Sequence, residues 1–299
     1  MSQINTESSS CSPSPDEVES NLHTQIRNIG IPPRPALLIN IEQEMRKDEP
    51  DSKHMADMIG ADVGLSASVI KVANSPFFGF GKQVRSVSEA MLVVGLKMIV
   101  HTIAAHALRM TFPHVPSLER FWDAASQTAQ LAGWLALRLK GRTRVRPEEA
   151  YTFGLFRDCG IPVLMIPFPE YAQILMQANA ATDKSFTDIE DGLLSINHAI
   201  VGAELAEDWG LPEELYQAIR YHHDSSILDV QEAAQLRRDM QHMIAIGQIA
   251  EYLLQTRTGL SQTQEWSKFG EVCLRQFEID ADELEALLNE SRDALVGLS

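Results

Sequence analysis

Apolar residues recur at three- and four-residue steps along most of the chain, which is the spacing of amphipathic helices. The longest such stripe begins at Phe121 and ends at Leu139. Prolines, glycines and capping residues divide the rest of the pattern into further helices. No convincing alternation of apolar and polar residues indicates a strand, so the predicted fold class is all-α. In the first part of the chain the predicted boundaries are a break at Pro32–Pro35, a helix over Ala36–Met45, helix ends at Gly60 and Asn74, and a capping box at Ser86–Glu89. In the middle they are an N-cap at Ser117, helix starts at Pro147 and Pro169, N-caps at Ser185 and Asn197, a helix stop at Gly210 and a helix start at Pro212. The last predicted helices cover Glu232–Thr256, Trp266–Phe277 and Ala281–Val296.

The most hydrophobic run, Met91 to Ala107, raises the question of a membrane span. It is interrupted by Gly95, where the helix is expected to pause, and by Lys97, His101 and His106. A membrane-spanning helix needs about 20 consecutive, predominantly apolar residues. The run therefore predicts a buried helix in a globular core, and no membrane partner is expected.

Composition sets the broad class of the protein. The 299 residues are 44% hydrophobic, and 25 basic against 41 acidic residues give a formal net charge of -16. Such a charge disfavours a general binder of phosphate backbones. The most basic stretch, residues 138–146, contains no aromatic residue. A solvated turn is therefore favoured over a nucleic-acid site, and no nucleic-acid partner is expected.

Cysteine usage and the N-terminus bear on the compartment. Cys11, Cys159 and Cys273 lie far apart and form no CxxC pair, which fits a reducing environment. The Ser-rich N-terminus has neither the basic nor the apolar segment of a signal peptide. A cytoplasmic location is expected, with residues 1–15 as a disordered tail.

The segment Tyr151 to Leu164 places Arg157-Asp158 between two apolar runs, where unpaired charges would be costly. Histidine and carboxylate side chains on facing helices are one way in which a bundle builds a metal site. Hydrogen-bonded polar residues at helix ends give the same pattern, so the residues alone leave both interpretations open. The further candidates, each on or beside an apolar helix face, are His198, His222, His223 and Glu251.

Longer motifs are more specific than any of these residues. They are IPPRPALLINI (31–41), DVGLSASVIKVANSPFFGF (62–80), VSEAMLVVGLKMI (87–99), FW (121–122), GLFRDCGIPVL (154–164) and NHAIVGAELAEDWGLPEELYQAIRYHH (197–223). Through these motifs the chain resembles the HDOD family, a relative of the HD-domain metal phosphohydrolases, over roughly residues 20–255. The resemblance implies an all-helical, multi-helix HD-like bundle, in agreement with the periodicity.

The resemblance also implies how the polar residues relate to a metal site. In the catalytic relatives a histidine follows the Phe-Trp pair and an adjacent His-Asp pair comes later; the matching positions here hold Ala124 and Arg157-Asp158. Neither an alanine nor a guanidinium can ligate a metal ion. Glu251 matches the distal carboxylate, and His198 and His222-His223 match histidines that serve a second metal in some two-metal relatives. No intact metal site is expected, and Asp158 is interpreted as a survivor that pairs with Arg157 or with a histidine.

The resemblance therefore implies a degenerate site without catalytic residues. The predicted function is a non-enzymatic module of bacterial signal transduction that acts through signalling protein partners. Two alternatives are a metal-dependent phosphohydrolase with altered ligands and a sensor of a nucleotide or another small phosphate-containing ligand. No cofactor is expected beyond a weakly held divalent metal ion, and homodimerisation is left open.

The expected organisation has three parts. An HDOD domain covers 16–258, divided into an N-terminal helical half (16–115) and a degenerate HD-like half (116–258). It follows the tail of residues 1–15, and a C-terminal helical extension covers 259–299. Whether the extension caps the bundle or mediates dimerisation is left open by the sequence.

Overall fold

The computed structural model describes residues 29–75, 83–112, 116–229, 235–259 and 262–295. Within these ranges the protein is all-α, with an isolated bridge between Lys140 and Thr143 and no strand or sheet. The predicted fold class is confirmed. In chain order the helices are α1 (Ala36–Met45), α2 (Ser52–Gly60), α3 (Val63–Ala73), α4 (Val87–Thr111), α5 (Pro116–Arg138), α6 (Pro147–Phe156), α7 (Gly160–Leu164), α8 (Tyr171–Ala180), α9 (Phe186–Leu194), α10 (His198–Asp208), α11 (Glu213–Tyr221), α12 (Gln235–Thr258), α13 (Glu265–Gln276) and α14 (Ala281–Leu295), with a 3-10 turn at Ser225–Asp229.

The helices of the first half pack around α4, which contacts α1, α2 and α3. Its two parts meet at Gly95, whose φ of 78° lies outside the helical region, as the expected pause requires. Among the described helices, α4 is the one that is long and apolar enough to span a membrane by length and composition. It nevertheless buries Met98, Ile99 and Ile103, each at most 1% exposed, and it also packs against α6. These contacts support the prediction of a buried core helix.

The second half is organised around α5, α6 and α12, which pack against one another. Gly154 permits the close approach of α6 to α5, since a Cβ at this position would lie 2.8 Å from the Ala129 Cα. Helix α11 contacts both α6 and α12, and α10 contacts α11 and the short helix α7. The C-terminal ends of α6 and α11 and the start of α10 are thereby brought together.

Most predicted helix boundaries agree with the structure. Ser86 accepts a hydrogen bond from the Glu89 N–H at 3.1 Å, while the Glu89 carboxylate reaches back to the Arg85 N–H at 2.8 Å. The Asn197 side chain accepts from the Ile200 N–H at 3.0 Å and so caps α10. Capping chemistry in the sequence thus located these helix starts.

Two predicted starts were wrong. Helix α5 begins at Pro116 rather than after an N-cap at Ser117, because proline is itself favoured at the first helical position. Helix α8 begins at Tyr171, after a turn in which the Tyr171 N–H donates to the Phe168 carbonyl at 3.0 Å, so Pro169 lies outside it. The predicted tail at 1–15, the motif residues 76–80 and the predicted start at Glu232 lie outside the described residues.

The C-terminal segment packs onto the second half. Helix α13 lies against α12, and α14 lies against α5 and α12. Phe269, Cys273 and Phe277 are at most 1% exposed and belong to the main core cluster. These contacts fit a capping role, while the boundary between domain and extension stays a prediction.

Two arginines of the basic stretch at 138–146 pair with carboxylates of α14, and Arg146 pairs with Glu148 and Glu149 of α6. Arg138 pairs with Glu290 at 2.7 Å, and Arg142 pairs with Glu283. The main-chain carbonyl of Phe277 accepts a further hydrogen bond from Arg142 at 2.9 Å. These three arginines therefore serve internal contacts, and the expectation of no nucleic-acid partner remains a prediction.

Candidate metal centre

The candidate centre begins at the C-terminus of α6. Arg157 directly follows this helix, and its side chain is 5% exposed. Asp158 comes next, in the turn before α7, with a side chain 26% exposed. Two opposite charges thus stand side by side at the edge of the core, where each needs a partner.

Gly160 brings this turn against α10. A Cβ at Gly160 would lie 2.1 Å from the His198 carbonyl oxygen and 2.8 Å from the Gly202 backbone nitrogen. Any side chain would therefore force the two backbones apart. Glycine permits the contact that sets Asp158 beside His198, the first residue of α10.

Asp158 and three buried histidines form a compact cluster. Potential ligand atoms of Asp158, His198, His222 and His223 all lie within 4.8 Å of one another. Asp158 Oδ1 is 3.3 Å from His222 Nε2 and 3.6 Å from His198 Nε2, and these two imidazole nitrogens are 3.3 Å apart. The other nitrogen of His222, Nδ1, lies 2.6 Å from the Ile219 carbonyl oxygen.

Two buried glutamates orient the other histidines. Glu190 is 0% exposed, and its Oε2 lies 2.7 Å from His198 Nδ1, while its Oε1 accepts a hydrogen bond from the Tyr171 hydroxyl. Glu265 Oε2 lies 2.6 Å from His223 Nδ1. A carboxylate behind an imidazole holds the proton on Nδ1 and leaves Nε2 available. Metal-binding histidines are typically supported in this way.

Neighbouring charges and burial shift the pKa values of His198, His222 and Asp158 in different ways. Burial lowers the pKa of His198, but Glu190 and Asp158 outweigh it and raise that pKa to about 10. Burial and a neighbouring imidazole lower the pKa of His222 to about 3. Burial opposes the ionisation of Asp158, yet Arg157 and hydrogen bonds from two histidines hold its pKa well below the usual range. His198 therefore carries a proton at neutral pH, which it must release before it can bind a metal ion.

Arg157 lies between Asp158 and a second carboxylate, Glu251 of α12. Its Nε donates to Asp158 Oδ2 at 3.0 Å, and its Nη2 donates to Glu251 Oε2 at 2.6 Å. Nη1 reaches the Gly247 carbonyl oxygen at 3.4 Å. Burial opposes the charge, but Asp158 and Glu251 raise the pKa of Arg157 further above its ordinary value. A permanent cation is thus held between two carboxylates.

The donor set fits a transition-metal ion on one side of Asp158. Three imidazoles and a carboxylate suit Zn²⁺ and related ions. A tetrahedral centre with bonds of about 2.0–2.1 Å separates its ligand atoms by about 3.4 Å. The distances among Asp158, His198 and His222, at 3.3, 3.3 and 3.6 Å, are close to this value. On the other side Arg157 fills the space between its carboxylates and would repel an ion.

The structure brings most of the predicted site residues together. Glu251 lies outside the cluster and contacts it through Arg157. Ala124 lies half-buried on α5, the helix that packs against α6, and offers no ligand atom. That these residues are remnants of a larger metal site stays a prediction. The candidate ligands that meet in the cluster are Asp158, His198, His222 and His223.

Sequence analysis missed the two supporting glutamates. Glu190 follows the buried Phe186 by one helical turn, and Glu265 precedes the buried Phe269 by one turn. A carboxylate within an apolar stripe signals a buried partner. The spacing does not show that the partner is a histidine from another helix.

Comparison with known proteins agrees with this architecture. The family model described as HDOD domain matches residues 31–225, more than half of the 299 residues. The chain belongs to the HDOD domain family. The resemblance noted from the sequence motifs is thereby confirmed. A relative from Treponema pallidum (strain Nichols), an uncharacterised protein, is 27% identical over 195 residues, which are 65% of this chain but only 38% of the relative's length.

Solved structures resemble this HDOD domain over most of its length. A Shewanella amazonensis protein, provisionally named a phosphohydrolase, superposes with a TM-score of 0.65 at 20% identity, covering 92% of this chain and 94% of the other. A Marinobacter aquaeolei VT8 protein, provisionally named a signal transduction protein, superposes with a TM-score of 0.59 at 24% identity, covering 94% of this chain and 66% of the other. At these identities the likeness establishes a shared fold.

Proposed function

We propose that this HDOD domain is a non-enzymatic module of bacterial signal transduction that acts through protein contacts in the cytoplasm. The observation that carries the proposal is the buried Arg157 guanidinium, which bridges Asp158 and Glu251. A hydrolytic metal centre needs an open coordination position at which the ion activates water. Here the fixed charge of Arg157 lies between Asp158 and Glu251, the carboxylates that a second metal ion would need as ligands. The signal-transduction name of the Marinobacter protein supports this assignment by analogy.

The cluster of Asp158 and the histidines favours a second candidate function, a metal-dependent phosphohydrolase. Its spacing and its supporting glutamates suit a single ion, and the Shewanella relative carries a phosphohydrolase name. Four protein ligands, however, make a closed site, which is the structural rather than the catalytic form of a zinc centre. A single metal ion bound in this cluster without phosphohydrolase turnover is therefore compatible with the proposed function.

The remaining alternative, a phosphate-ligand sensor in the same cleft, gains little support. Three nitrogens of Arg157 already donate to protein acceptors. Asp158 and Glu251 flank this guanidinium, and their charges oppose the approach of an anion. A phosphate group would have to displace both carboxylates.

Metal content and turnover, measured on one preparation of the full chain, separate the two candidates. The assay uses p-nitrophenyl phosphate and its bis-ester with added Mn²⁺, Zn²⁺ or Ni²⁺, and Asp158→Ala is measured in parallel. We expect no turnover above that of the variant, whether or not a metal ion co-purifies. Turnover that disappears in Asp158→Ala would establish the phosphohydrolase instead.

The combined change Arg157→His and Ala124→His tests the assignment of the two degenerate positions. It removes the fixed cation and supplies two imidazoles, so Mn²⁺ should bind at least about tenfold more tightly in competition with a fluorescent chelator. Arg220→His is the matched control, since it breaks the part-buried Arg220–Glu204 pair. Circular dichroism verifies folding, because the loss of a buried partner costs about 3–5 kcal/mol. Unchanged affinity in a folded double variant would contradict the assignment.

A further inference from the structure

A cavity of about 150 Å³ lies where α3, α4, α5 and α6 meet. Its wall draws on both halves of the domain, with Lys71 and Ser75 from the first half and Trp122 and Gln130 from the second. No residue of the metal centre lines it, although Phe156 of its wall directly precedes Arg157. The cavity is therefore separate from the metal centre but adjoins it along the chain.

Two buried polar atoms in this wall have no hydrogen-bond partner within the described protein, Ser75 Oγ and Gln130 Oε1. Ser75 is 6% exposed and Gln130 is 4% exposed. Buried polar atoms are nearly always paired, and leaving one unpaired costs about 1–3 kcal/mol. Both residues line the cavity, so a molecule inside it can supply the missing partner.

Two other hydroxyl groups in the wall, those of Thr102 and Ser68, are already satisfied. Thr102 Oγ1 donates to the Met98 carbonyl at 2.8 Å, and Ser68 Oγ donates to the Gly64 carbonyl at 2.9 Å. The two unpartnered atoms are thus specific features of the wall. Gln130 Oε1 is an acceptor only, so its partner must carry an N–H or O–H donor.

The wall also carries apolar side chains and two cationic ones. Trp122, Leu155 and Phe156 supply flat, hydrophobic surface. Among the described residues of the wall, the lysine and arginine side chains are Lys71 and Arg109, and there is no carboxylate. Arg109 already pairs with Glu119, so the exposed Lys71 is the cation that a ligand can engage.

We propose that this cavity binds a single-ring organic acid that carries a hydrogen-bond donor, a molecule of the hydroxybenzoate class. An apolar cavity of about 150 Å³ admits a molecule the size of benzene. The ring packs on Trp122 and Phe156, the hydroxyl donates to Gln130 Oε1, and the carboxylate faces Lys71. Because the wall belongs to both halves, the ligand bridges them.

Titration of the full chain with the three hydroxybenzoate isomers and with benzoate, followed by calorimetry, tests the proposal. At least one isomer should bind about tenfold more tightly than benzoate, which lacks the donor. Gln130→Leu should abolish that preference, because it removes the acceptor and keeps a similar volume. Lys71→Gln should weaken isomer and benzoate alike, whereas Lys53→Gln, at an exposed position of α2, should weaken neither.

Ser75→Ala provides a second variant if Gln130→Leu does not fold, since it removes one hydroxyl group and should also weaken the preferred isomer. Saturable binding that responds to these changes supports the site. Absence of saturable binding by all three isomers would show that only water satisfies the two atoms and would overturn the proposal. Equal binding of benzoate and every isomer would overturn it as well.

Discussion

Arg157 and His198 flank the same carboxylate and give it two different environments. Arg157 holds one oxygen of Asp158 with a permanent charge, whereas His198 approaches the other with a proton that it can release. A metal ion can replace that proton, but it cannot replace a guanidinium. Single side chains therefore decide that one side of Asp158 is open to a metal ion and the other is closed.

Glu190→Gln tests whether the carboxylate behind His198 prepares the cluster for metal. The amide retains the shape but loses the charge that holds the proton on His198 Nδ1. Loss of such a supporting carboxylate typically weakens metal binding 10- to 100-fold, and we expect a change of about that size for Zn²⁺ in a chelator competition. Glu204→Gln, which removes the part-buried partner of Arg220, is the control. Equal affinities in the two variants would contradict the role of Glu190.

At the scale of elements, the centre depends on how closely short segments approach one another. Gly160 and Gly202 let the start of α7 touch α10, as Gly154 lets α6 touch α5. Helix α7 covers only Gly160–Leu164, which is too short to be stable without this packing. The position of Asp158 therefore depends on backbone contact between helices.

Gly160→Ala should disrupt this contact. The added Cβ would meet the His198 carbonyl oxygen at 2.1 Å, and a backbone atom cannot move aside as a flexible side chain can. We expect a loss of at least about 2 kcal/mol in the free energy of unfolding by urea, together with weaker Zn²⁺ binding.

The matched control is Gly192→Ala in α9, where a Cβ would meet nothing within 4 Å. There the change should leave stability equal or raise it by about 0.5–1 kcal/mol, as alanine favours the helix. Similar losses in both variants would show that the close contact is not what Gly160 provides.

The same elements show what could be predicted from sequence. Capping residues such as Ser185 and Asn197 act through their own neighbours, so local spacing located α9 and α10. The family resemblance predicted that Asp158 pairs with Arg157 or with a histidine, without assigning His198 as that partner. Glu190 could not be assigned, because its contact with His198 depends on how α9 packs against α10, which periodicity does not specify.

Across the whole molecule, the two halves meet where α4 packs against α6. His101 of α4 is 6% exposed, and its Nδ1 lies 2.9 Å from Thr152 Oγ1 of α6. Thr152 donates its own proton to the Glu148 carbonyl at 2.7 Å, so the hydroxyl oxygen accepts from His101. A neutral imidazole thus joins the halves across the core.

Burial, and after it the nearby charge of Lys97, lowers the pKa of His101 from 6.5 to about 4. Arg146 also lowers this pKa, whereas Glu149 raises it. The unfolded chain therefore takes up a proton at a higher pH than the folded protein. The stability linked to His101 is complete above pH 6.5 and is lost as the pH falls towards 4.

His101→Gln removes this titration while keeping a side chain that can donate to Thr152. Urea unfolding at pH 7 and pH 5 should show wild type losing about 2 kcal/mol more than the variant on acidification, since each pKa unit corresponds to about 1.4 kcal/mol. Other acidic and histidine groups contribute equally to both proteins, so the difference isolates His101. A variant that loses as much stability as wild type would mean that His101 is protonated in the folded core, and the contact between the halves would then have to accommodate a charge beside Lys97.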